Sequence, residues 1–162
     1  VNELVDDQLS VAAIHRLYHS ISAANLRTAL SASFDIEDAG VLCDSTLSQM
    51  NDRGALCLLL VDRTIAWLKP KSKAFTGVRQ LDSALLEHAL ATTPHAVGYQ
   101  HGLDEVCREL AAHNATAAIL IRPVSVTEIR RTATEGLLMP PKSTFFTPKL
   151  RTGLVMRPLN TR

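Results

Sequence analysis

The sequence predicts an α+β fold, a mixed β-sheet with helices packed on it, and three observations support this. Apolar runs of strand length, "ALCLLLV" at 55–61 and "ATAAILIRPV" at 115–124, alternate with stretches such as "AANLRTALSASF" at 23–34, where Leu26, Leu30 and Phe34 recur every four residues. At 162 residues the chain holds one hydrophobic core but not two, so residues 1–162 are expected to form a single compact domain. A hydrophobic fraction of 46% with 20% charged residues has the balance of a globular protein.

In chain order, "LSVAAIHRL" (9–17) predicts a strand, followed by the helix of 23–34. "DSTLSQMND" (44–52) predicts a short helix that is capped by Asp44 or Ser45 and ends at Gly54. Residues 55–68 predict a hairpin turning at Asp62 and Arg63. "PKSKAFTGVRQ" (70–80) reads as a solvated loop, and Asp82 as the cap of a helix over "SALLEHALA". "HAVGYQ" (95–100), "GLDEVCRELAAHN" (102–114) and the strand near 115–124 follow as strand, helix and strand, the pattern of a right-handed βαβ unit. The last strand is apolar without interruption, as burial on both faces requires. In "VSVTEIRRTATEG" (124–136), Ser125 and Glu128 fit a capping box, Val124 can staple to Ile129, and Gly136 sits where a helix ends.

Composition narrows the function. A net charge of +1 and only 4% aromatic residues argue against nucleic-acid binding, although Lys69, Lys71, Lys73 and Arg79 cluster locally. Three widely spaced cysteines, Cys43, Cys57 and Cys107, read as buried packing thiols in a reducing compartment. No apolar run reaches membrane-span length and no signal-peptide pattern precedes the domain, so a cytoplasmic location without a membrane partner is expected. A chain starting at Val1 rather than Met is expected to be part of a longer protein. The histidines show no metal-ligand spacing, no nucleophile elbow or kinase signature is present, and the acidic group Asp35, Glu37 and Asp38 reads as a solvated loop.

The unusual segment is "MPPKSTFFTPKLRTGLVMR" at 139–157. From Met139 to Arg162 there are five basic residues, Lys149 and Arg151 among them, and no acidic one. Pro140 and Pro141 predict an extended approach that orients Lys142, Ser143 and Thr144. An ammonium beside two hydroxyls can donate to an anionic oxygen, so phosphate or carboxylate is the expected ligand class. The competing reading makes the segment structural: Phe145 and Phe146 anchor it, Pro148 bends it and "TGLVMR" adds a strand. His15 and Arg16 form a second candidate cluster, and strand geometry sends them to opposite faces.

The same segment resembles the closing motif of the DUF1015 family, which ends in something like Met-Pro-x-Lys-Ser-Thr-aromatic-Phe-x-Pro-Lys-x-x-(Ser/Thr)-Gly-Leu-Val. The strand ending in His15-Arg16-Leu17, the helix of "LDSALLEHAL" and the approach "ILIRPVSVTEIRRTATEGLLMPPKST" are similar to the family as well. Thr147 departs from the family's usual Tyr-Pro or Glu-Pro pair. Family members carry an N-terminal portion with an Asp-Gly-His-His-Arg motif, likened to ParB/sulfiredoxin-like free serine kinases, and no His-His pair occurs here. The resemblance therefore implies a C-terminal part whose N-terminal portion is a partner. It implies the phosphate- or nucleotide-binding half of a kinase for a small, serine-like metabolite, inactive alone, using ATP or ADP with a divalent metal in the full-length protein. Lys142 and Lys149 would hold phosphate oxygens, Ser143 and Thr144 would orient them, Arg151 would add charge, and His15 or Arg16 would complete the wall. The alternative is a noncatalytic structural or homodimerisation domain.

Overall fold

The computed structural model describes residues 10–147. The first apolar run divides at Ala13 into β1 (Ser10–Ala12) and β2 (Ile14–His19). Then come α1 (Ala23–Ser31), β3 (Phe34–Val41), α2 (Thr46–Arg53), β4 (Leu56–Leu60) and β5 (Thr64–Pro70). After a 3-10 turn at Ser72–Phe75 the chain continues through α3 (Asp82–Leu90), β6 (Ala96–His101), α4 (Leu103–Ala111), β7 (Ala117–Leu120), α5 (Val126–Thr134) and β8 (Phe145–Thr147).

The architecture is the expected α+β fold. Six strands form one sheet in the order β3-β5-β4-β7-β2-β6, and β1 and β8 pair separately. All of these ladders are antiparallel. The expected βαβ unit is present in split form. Strands β6 and β7 both run antiparallel to β2, which lies between them, so they run parallel without touching.

Strand periodicity sorts the buried residues into two layers, one on each face of the six-stranded sheet. Leu56 and Leu58 face Leu26, Leu30, Leu85 and Leu90 of α1 and α3. Cys57 and Leu59 face Met50, Val106 and Leu110 of α2 and α4. Both central strands, β4 and β7, are covered on both faces, which is why they read as unbroken apolar runs.

The local signals hold at several ends. Ser22 and Ser125 accept amides of the first turns of α1 and α5 through their hydroxyls, and Gly54 closes α2 at φ +60°. At the β4–β5 turn Arg63 has φ +67°, and the Asp62 carboxylate accepts from the Thr64 amide and hydroxyl.

Four expectations are corrected. Asp35, Glu37 and Asp38 belong to strand β3, where charge on the sheet edge blunts pairing with other chains and hides the apolar alternation. Asp82 does not cap α3 through its side chain, because its carboxylate is bound to Arg122. The 70–80 segment buries Phe75 against Phe34, and its Arg79 reaches Glu128, Glu135 and Thr132 of the α5 region. Cys43 is exposed, and hydrogen bonds from Ser45 and Thr46 lower its pKa, whereas Cys57 is buried.

Candidate functional site

The segment after α5 arrives as a turn rather than an extended strand. Lys142 has φ +54°, the left-handed conformation that the third residue of a type II turn adopts, and Pro141 precedes it at the position proline favours. The Ser143 hydroxyl donates to the Pro140 carbonyl at 2.7 Å and lies 3.1 Å from the Ser83 hydroxyl at the start of α3. Arg16 holds the turn from beneath: it donates to the carbonyls of Lys142 at 3.0 Å and Pro141 at 3.4 Å, and to Ile14 at 2.6 Å. Its guanidinium lies over the Tyr99 ring, 4.8 Å from the centroid. Burial lowers the Arg16 pKa, and the neighbouring Tyr99, Tyr18 and Glu87 oppose that shift. Beyond the turn β8 pairs with β1, and Phe145 stacks on His101 at 4.3 Å.

The sequence-predicted residues therefore take different positions. Lys142 is exposed on a turn fastened by buried polar groups, Thr144 is half-buried, and Ser143, 3% exposed, has its hydroxyl engaged in building the turn. Lys149, Arg151 and the "TGLVMR" segment lie outside the described residues. Arg16 supports the turn through its backbone carbonyls.

His15 is not brought to that turn. Strand alternation sends it to the face covered by α2 and α4, where its Nδ1 accepts from the Ile121 amide at 3.2 Å. It is 4% exposed, and burial, aided by the Arg16 charge, lowers its pKa from 6.5 to about 4. Protonation thus favours the unfolded chain. The stabilisation from keeping His15 neutral is complete above pH 6.5 and is lost as pH falls toward 4, a difference of roughly 3 kcal/mol. His15→Asn offers a non-titrating oxygen to the Ile121 amide, so its urea midpoint is expected to fall less between pH 7 and pH 4.5 than that of the parent chain. Parallel pH profiles would refute this assignment.

Sequence reading missed the polar centre at the same end of the sheet. Arg122, two residues past the end of β7, donates to Asp82 from its backbone amide at 2.8 Å, from Nε at 3.0 Å and from an Nη at 2.6 Å. These bonds raise the Arg122 pKa. Two clefts meet there. One, about 360 Å³, is lined by His15, Leu47, Met50, Leu103 and Ile121; the other, about 320 Å³, by Gln80, Asp82, Ser125 and Glu128. Asn51, Arg122 and Pro123 border both. An arginine and a proline closing an unbroken apolar strand were the available signal in the sequence. Among the described residues no three His, Cys, Asp or Glu side chains converge as metal ligands. No helix among them is long and apolar enough to cross a membrane.

No protein-family model matches this chain, and no curated protein matches it. Solved structures do match. A conserved hypothetical protein from Pyrococcus furiosus superposes with a TM-score of 0.61 at 10% identity, over 88% of this chain and 57% of that one. A free serine kinase in complex with AMP superposes with a TM-score of 0.59 at 10% identity, over 87% and 55%. A variant free serine kinase in complex with ADP gives 0.55 at 13% identity over the same shares. What is shared at such identity is the fold. The chain spans a little over half the length of these proteins.

Proposed function

We propose that this chain is the C-terminal part of a DUF1015-like protein and supplies the phosphate-holding half of a nucleotide-using kinase for a small, serine-like metabolite, with no turnover by itself. One observation carries the reading: an exposed lysine is held in a left-handed conformation on a turn that buried Arg16 and Ser143 fasten in place. The fold shared with kinases solved with AMP and ADP adds support.

Phosphoryl transfer is mainly positioning and charge neutralisation. The Lys142 ammonium would meet a phosphate oxygen, with the half-buried Thr144 beside it as a further donor. Arg16 and Ser143 act through the turn and are positioning residues. The base that accepts the substrate hydroxyl's proton, and any metal ligands, belong to the N-terminal portion that the family resemblance implies.

Thermal denaturation with pyrophosphate or ADP at constant ionic strength tests this. At a ligand concentration about a hundred times Kd, the melting temperature is expected to rise by about 5–10 °C. Lys142→Gly suits the φ of +54° and should leave the unliganded melting temperature nearly unchanged while abolishing most of the pyrophosphate shift. No shift with either ligand, or a shift that survives in Lys142→Gly, overturns the proposal. The assembly reading would then take precedence, starting from the exposed Leu137 and Leu138.

A further inference from the structure

We infer that the two clefts meeting at Asn51 and Arg122 form a nucleoside site, with a purine base in the His15 cleft and its sugar in the neighbouring polar cleft. The inference deepens the nucleotide reading above and rests on it for the ligand class. Its residues are separate from the Lys142 turn.

The first observation is a buried donor facing the cleft. Because His15 Nδ1 accepts from the Ile121 amide, the neutral ring carries its proton on Nε2. The residue is 4% exposed and lines the cleft, and Nε2 has no partner among the described residues. Every fully buried side-chain nitrogen or oxygen among those residues has a partner, so the unpartnered Nε2 keeps some exposure to solvent, and this cleft is the cavity that His15 lines. It offers one hydrogen bond to a ring nitrogen or carbonyl.

The second observation is the wall chemistry. Leu47, Met50, Leu103 and Ile121 present apolar surface suited to a ring face, and Gly102, with φ +81°, adds no side chain. A volume of about 360 Å³ is of ligand-site size. Asn51 is exposed at the rim, and its amide supplies a donor and an acceptor together, the pair that reads a purine's amino group and adjacent ring nitrogen. The Arg122 charge is already met by Asp82, so the cleft calls for an uncharged acceptor-bearing ring rather than a free anion. The adjoining cleft, lined by Gln80, Ser125 and Glu128, is polar where sugar hydroxyls would need partners.

Titration of the 162-residue chain with adenosine, ribose and pyrophosphate, followed by calorimetry, tests the site. Adenosine is expected to bind and ribose alone not to. Asn51→Ala, an exposed substitution, is expected to weaken adenosine about tenfold while leaving pyrophosphate unchanged. Lys142→Gly is expected to do the reverse. Pyrophosphate binding that depends on Lys142, with adenosine absent or insensitive to Asn51→Ala, overturns the nucleoside site and leaves the phosphate turn standing. Adenosine binding lost in Asn51→Ala without any pyrophosphate binding supports the nucleoside site and overturns the turn. Binding of neither overturns both.

Discussion

Asp82→Ala is expected to lower the unfolding free energy by about 3 kcal/mol, read as a shift in urea midpoint at constant slope. The carboxylate accepts three bonds from one residue, including the Arg122 backbone amide at 2.8 Å, and it is 7% exposed. Removing it leaves a half-buried guanidinium and an amide without an acceptor, and such orphaned groups dominate the cost of breaking a buried pair. Asp82→Asn keeps one carbonyl oxygen and should lose about half as much. Adding Arg122→Met to Asp82→Ala should recover part of the loss, since removing both charges is less costly than stranding one. A midpoint for Asp82→Ala within about 0.5 kcal/mol of the parent would refute this account.

Arg16→Met should release the turn that presents Lys142. Three carbonyls, of Ile14, Pro141 and Lys142, lose their donor, and Arg16 is 3% exposed, so about 2 kcal/mol of stability is expected to disappear. The more specific readout is trypsin cleavage after Lys142, which should accelerate by about tenfold or more as the turn opens locally. Arg16→Lys should not rescue it, because one ammonium cannot reproduce a planar fork that spans separate carbonyls. Unchanged cleavage after Lys142 in Arg16→Met would show that the turn does not depend on Arg16.

Much of the scaffold is legible wherever a signal lies within a few residues of what it specifies. The runs that become β4 and β7 are continuous because both of their faces are covered. Ser125 caps α5 by bonding the Glu128 amide three residues on. Strand β3 escaped notice because, apart from Phe34, its edge position leaves almost nothing buried to alternate with its charges. His15 and Arg16 could be assigned to opposite faces from the period of a strand, but their partners, Ile121 and the 140–142 turn, could not be read locally.

The sequence by itself determined the α+β class, most of the elements, the tight turn at Asp62 and Arg63 and the concentration of basic charge near the end of the chain. Tertiary structure alone decided which polar groups meet. Asp82 finds Arg122 forty residues away and Ser143 finds Ser83 sixty away, because the sheet order brings the start of α3 beside the end of β7 and beneath the tail turn. Periodicity and capping arise from local backbone geometry, whereas the pairing of a buried charge depends on which element ends the topology places together.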